Sequence, residues 1–149
     1  MGAGTRALMR VVLDTNVLLS ALISPHGPPD TIYRAWRAAR FEIVTSMAQL
    51  DELRRASRYP KFKAILQPHR VGAMVNNLQR ALVLEHLPTD IETADPFDAF
   101  LLAMAVAGDA DYLVTGDMRA GLLQRGHIGR TRIVPPTLFC AEGLCRCTP

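Results

Sequence analysis

Apolar residues follow two alternating periodicities along this chain, and the alternation predicts its elements. Met9 to Leu13 (MRVVL) is a short β-branched run that stops at Asp14, the pattern of a buried strand. Val17 to Ile23 predicts a buried helix, so the chain opens as strand, turn, helix. Ser24 to Pro29 (SPHGPP) is a loop by its Pro and Gly content, and Asp30 is the expected N-cap of a second helix. There Ile32, Ala35, Trp36 and Ala39 recur at helical spacing while Arg34, Arg37 and Arg40 fall off that face. Phe41 to Thr45 (FEIVT) predicts a strand, and Ser46 with Gln49 predicts a capping box opening a helix with Glu52 in its second turn. Tyr59-Pro60 ends that helix; a short helical stretch, a helix over Val71 to Ala81 and a strand over Leu82 to Glu85 follow. In Asp95-Pro96-Phe97-Asp98 an N-cap, a proline at the first helical position and a carboxylate at the third predict a helix from Pro96 to Ala107, stopped by Gly108. Tyr112 to Thr115 predicts a strand, Arg119 to Gln124 a short helix, and Arg132 to Val134 the last strand.

Strands and helices trading places at these spacings predict a three-layer α/β/α fold around a central, mostly parallel sheet. No repeat or linker interrupts the pattern, so residues 1–149 are expected to form one domain, with a core over about 10–138 and a short tail over 139–149. A chain of this length buries about two-thirds of its unfolded surface and needs no staples. Its three cysteines, Cys140, Cys145 and Cys147, crowd into that tail. An odd, clustered set is not a secreted disulfide framework, which points to a reducing cytoplasm and an exposed tail open to oxidation. The longest apolar run, Ala99 to Ala107, falls short of the roughly twenty residues of a spanning helix. With no signal-peptide pattern either, no membrane association is expected. Net charge is +3, from 17 Lys plus Arg against 14 Asp plus Glu, too mild to identify a nucleic-acid binder by itself.

In open parallel sheets ligands bind beyond the carboxyl ends of the strands, where strand order reverses. Asp14 follows the first strand, Asp117 the fourth, Asp98 opens the helix leading to that strand, and Glu52 lies on the helix after the second. Each alone has a structural explanation: Asp95 or Asp98 as a cap, Glu52 as a solvated helical residue, Asp117 as a turn residue. Together they form an acidic set at one sheet edge, and clustered carboxylates resist ionising together unless a cation sits among them. An all-oxygen set suits Mg²⁺ or Mn²⁺, whereas HExxH and paired-Cys zinc spacings are absent from the sequence. Such a site hydrolyses phosphodiesters.

Four segments then carry a resemblance to the PIN-domain nucleases, and within them to toxins of bacterial toxin-antitoxin systems related to VapC. VVLDTNVLLSAL (Val11 to Leu22) resembles the opening motif, TSMAQLDEL (Thr45 to Leu53) the second, DPFDAFLLAMA (Asp95 to Ala105) the third and YLVTGD (Tyr112 to Asp117) the fourth. The resemblance implies a metal-dependent endoribonuclease in which Asp14, Glu52, Asp98 and Asp117 are the catalytic acids and metal ligands. It makes Asn16 and Thr115 supporting polar residues and Asp95 an accessory acid or only a cap. It implies an RNA substrate, a cognate antitoxin and a homodimer. Two features depart from the pattern: Phe97 stands where a further acid is common, and Met118, Arg119 and Ala120 supply no further acid.

Arg54, Arg55, Arg58, Lys61 and Lys63 surround the end of the Glu52 helix, either a rim for RNA phosphates or a solvated face. A phosphatase using an aspartyl nucleophile needs a second acid two residues after the first, but Asn16 stands there. A receiver-like signalling domain needs a lysine near the end of a strand, and Lys61 and Lys63 are the only lysines. The remaining alternative is a catalytically impaired PIN-fold module acting through protein or RNA binding.

Overall fold

The β-branched run ahead of Asp14 forms a central strand of the computed structural model, which describes residues 8–91, 93, 96–116 and 121–146. It is β1 (Arg10–Leu13), followed by α1 (Thr15–Ile23), α2 (Pro28–Arg37), β2 (Glu42–Ser46), α3 (Met47–Ala56), α4 (Pro60–Lys63), α5 (Pro68–Leu78) and β3 (Leu82–Leu84). Then come α6 (Pro96–Ala107), β4 (Tyr112–Val114), α7 (Leu122–Arg125), β5 (His127–Ile128) and β6 (Thr131–Val134). The chain finishes through α8 (Pro136–Leu138), a π-helical turn over Phe139–Gly143 and α9 (Leu144–Arg146).

The strands lie in the order β3-β2-β1-β4-β6-β5. All neighbours are parallel except β5 and β6. Alternate strand residues face opposite sides of a sheet, and the packing follows that rule. Val11, Leu13, Ile43, Tyr112 and Val114 join one core with residues of α1, α2, α3 and α5. Val12, Val44, Leu113 and Ile133 join a second core with α6 and Leu122. The strands are therefore apolar on both faces, as parallel strands covered by helices must be, and the three-layer architecture is that expected from the sequence. Among the described residues no helix is long and apolar enough to cross a membrane.

Several local expectations change. Helix α2 begins at Pro28, with Gly27 as N-cap, rather than after Asp30. Proline is tolerated in a helix's first turn because its missing N–H would have no intrahelical partner there. Asp30 sits inside that turn, accepting a hydrogen bond from the His26 N–H (3.0 Å) and pairing with Arg34 (3.1 Å). Helix α5 starts early for the same reason, at Pro68 rather than Val71. Ala39 falls beyond α2 in a left-handed conformation (φ 62°) and is exposed rather than part of a core face. The two-residue strand β5 is too short to leave a periodicity.

The tail also differs from its reading. Phe139 is fully buried and Leu144 nearly so. The Phe139 ring meets Phe41 and Tyr112 edge-on, with centroids 5.6 and 5.2 Å apart. Phe139, Cys140 and Leu144 therefore complete the core on the α1–α3 face.

Gly108 ends α6 as expected, but not through a left-handed conformation, which falls on Asp109 (φ 51°). A Cβ on Gly108 would lie 2.5 Å from Cγ1 of Val44 on β2, so its bare backbone lets the helix end press against the sheet. Gly108→Ala is expected to destabilise the fold by about 1–3 kcal/mol through overpacking, read as a lower urea midpoint with an unchanged slope.

Candidate active site

Strand order reverses between β1 and β4, and the carboxyl ends of these neighbours define the crevice where such sheets bind ligands. The first residue beyond β1 is Asp14, whose backbone N–H donates to the carbonyl of Val114 at the end of β4 (2.9 Å). Its side chain caps α1: Oδ1 accepts from the Asn16 backbone N–H (3.2 Å). Oδ2 accepts from the hydroxyl of Thr115 (2.7 Å). Asp14 is 1% exposed and Thr115 fully buried, so both carboxylate oxygens are fixed from two directions.

Asp98 is also 1% exposed and lies in the first turn of α6, where unpaired helix N–H groups favour a carboxylate. That helix packs across β1, β2 and β4. Among the described residues no hydrogen bond reaches Oδ2 of Asp98, while the residue takes part in other interactions. Burying ionised carboxylates is costly unless cations or donors compensate them. The donors are hard oxygens, a set that fits Mg²⁺ or Mn²⁺ rather than a thiolate-seeking metal.

The structure treats the other expected site residues differently. Glu52, in the second turn of α3, pairs with Arg55 at 3.1 Å. The Asn16 side chain is exposed, and this residue reaches Asp14 through its backbone. Asp117, Asp95, the Phe97 side chain and Met118, Arg119 and Ala120 lie outside the described residues. Among the described residues no group of three His, Cys, Asp or Glu side chains is gathered closely enough to hold a metal. Asp14 with Thr115 is thus the directly joined part of the expected constellation.

The five cations near α3 divide. Arg54 pairs with Asp51 and Arg55 with Glu52. Lys61 stacks on the Phe62 ring at 4.8 Å. Arg54, Arg58 and Lys63 rim a cavity of about 460 Å³ floored by Leu66 and Val71. Cys140 is half-buried, and burial raises its thiol above the ordinary cysteine value, which lowers its reactivity at neutral pH. Cys145 is exposed, and Cys147 lies outside the described residues.

Sequence reading missed the structural role of Gln49. The Ser46 hydroxyl does accept from the Gln49 N–H (3.0 Å), half of the expected capping box. The Gln49 side chain does not reach back to complete it. It turns inward, with Nε2 donating to the Leu13 carbonyl (2.7 Å) and Oε1 accepting from the Thr45 hydroxyl (2.6 Å). The available signal was spacing: Gln49, Leu53 and Ala56 fall at i, i+4 and i+7 on the buried side of α3.

The profile of the PIN domain matches residues 10–119 of this chain. No curated protein matches it. Among solved structures, a chain in the crystal structure of VapBC2 from Rickettsia felis bound to a DNA fragment from their promoter is similar in fold. The TM-score is 0.54 and the identity 21%, covering 85% of this chain and 98% of that one.

Proposed function

Because the chain belongs to the PIN-domain family, whose members are generally nucleases, we propose that it is a divalent-metal-dependent endoribonuclease and the toxin of a toxin-antitoxin pair. The observation that carries this reading is the Asp14 carboxylate, buried at the reversal of strand order and held by Thr115. Asp14, Asp98 and Asp117 hold Mg²⁺ or Mn²⁺. Glu52 either completes the set or orients the attacking water, exchanging Arg55 for that duty. Asn16 and Thr115 position Asp14, and Asp95 serves as an accessory acid or cap. When bound, the cation lowers the pKa of the attacking water and offsets charge developing at phosphorus.

Arg54, Arg58 and Lys63, with Arg55 and Lys61 nearby, draw RNA phosphates toward the acidic edge through counterion release. The partner suggested by the VapBC2 likeness is an antitoxin, whose peptide covers the pocket and offers an arginine to the acids. A cytoplasmic homodimer completes the reading. One observation favours the rival, a PIN-fold module acting by binding alone: the Glu52 carboxylate is engaged by Arg55.

The test is cleavage of a mixed RNA pool by the purified protein. Cleavage should stop with EDTA, return with excess Mn²⁺, and fall by about a hundredfold or more in Asp98→Asn. Cleavage indifferent to both treatments would exclude the metal-dependent reading.

A further inference from the structure

We infer that Gln49 is a positioning residue for Asp14, setting the backbone from which that carboxylate reaches a metal; the inference rests on the function proposed above. Gln49 is fully buried on α3, and its amide joins three segments. Nε2 donates to the carbonyl of Leu13 at 2.7 Å and lies 3.4 Å from the Thr15 hydroxyl, so it touches the residues on either side of Asp14. Oε1 accepts the Thr45 hydroxyl at 2.6 Å, from the end of β2.

The geometry has a specific consequence. Pairing between β1 and β2 runs from Arg10↔Glu42 to Val12↔Val44, so the Leu13 carbonyl lies one residue beyond that register. Gln49 supplies its donor. The N–H of the same peptide unit, that of Asp14, donates to Val114 on the other side (2.9 Å). The Leu13–Asp14 peptide is thus held at both edges, by α3 through its C=O and by β4 through its N–H. Rotation of that plane would swing the Asp14 Cβ and misdirect the carboxylate that Thr115 holds from its far end.

The amide is suited to this task because it carries a donor and an acceptor in one plane. Thr45 occupies the acceptor, which leaves the donor aimed at Leu13. Glutamate keeps the acceptor but loses the donor, and methionine keeps the length but loses both. Groups that orient a metal ligand without touching the metal typically change affinity or activity by about 10–100-fold when removed.

The experiment measures Mn²⁺ binding by calorimetry and steady-state RNA cleavage in wild type, Gln49→Met, Thr45→Val and Thr45→Ser, with folding of each checked by circular dichroism. Gln49→Met should weaken Mn²⁺ binding about tenfold and lower kcat at least as much, with KM changed by less than about twofold. Thr45→Val should give about a threefold loss that Thr45→Ser restores. A merely structural joint would lower the melting temperature and leave the Mn²⁺ affinity and kcat of folded protein intact; that result overturns the inference. Should Gln49→Met fail to fold, Thr45→Val decides, and wild-type affinity in it is equally fatal. Failure of the wild type to take up Mn²⁺ would instead overturn the proposed function and this inference with it.

Discussion

Asp14→Asn should lose cleavage by about a hundredfold or more while folding as well as the wild type. The loss follows from removing a buried anionic ligand, since a neutral amide cannot offset a divalent cation at a site that depends on charge stabilisation. Retention of the fold follows from the hydrogen bonds. The Asn carbonyl can still accept the Asn16 N–H as an N-cap, and Asn ranks with Asp in that position. Its NH2 can donate to the Thr115 oxygen, whose hydroxyl now accepts instead of donating. Substitution also removes a buried negative charge that no bound metal offsets in the metal-free protein. Metal-free Asp14→Asn is therefore expected to melt at the wild-type temperature or a few degrees higher. A residue that only capped α1 would show no such pairing of lost activity with retained stability. Cleavage assays beside thermal melts in EDTA check it, and an active Asp14→Asn would remove Asp14 from the mechanism.

Phe139→Ala should cost about 3–5 kcal/mol, a large share of the roughly 5–15 kcal/mol that holds a domain together. Phe139 is fully buried and its ring contacts both Phe41, just before β2, and Tyr112 on β4. Truncation deletes most of a large apolar side chain and two edge-on aromatic contacts, each worth about 0.5–1.5 kcal/mol beyond its area. Collapse into the void is opposed by the sheet on one side and by the chain beyond Gly143, whose bare backbone packs against the ring. Urea denaturation followed by tyrosine and tryptophan fluorescence reads the shift. A loss under about 1 kcal/mol would restore the expectation that the segment beginning at Phe139 is an exposed tail.

The reasons that tail was misread are physical. A π-helical turn carries Phe139 to Gly143, and its i→i+5 bonding sets Phe139 and Leu144 five residues apart. Neither a helical nor a strand period links such a pair, so the apolar face leaves no signature. Prolines obscure the helix starts in a related way: Pro28 falls in a Pro- and Gly-rich stretch that reads as loop, and Pro68 precedes the apolar periodicity that begins at Val71, yet each opens a helix. By contrast, β1, β2 and α6 were plain: β-branched runs of four or five residues, and Pro96 to Ala107 bounded by proline and glycine.

Within the site, Asp14 was legible because an acid directly after a buried strand has few structural uses. Its lock was less so. Thr115 lies 101 residues away in sequence, and only the β1–β4 pairing brings the two together. Gln49 was hidden for another reason: a glutamine three residues after a serine fits the helix-start pattern, and only its spacing with Leu53 and Ala56 places it on the inward face of α3. The Glu52–Arg55 pair is a short-range helical contact that sequence can suggest but not distinguish from a metal ligand awaiting its ion.

The central claim is that the carboxylates at the reversal of strand order hold a divalent cation. Titration calorimetry of Mn²⁺ into the chelator-treated protein tests it most directly. Saturable uptake with a millimolar or tighter Kd in wild type, lost in Asp14→Asn, is the result this account predicts. No uptake by the wild type, or equal uptake by both proteins, would contradict it.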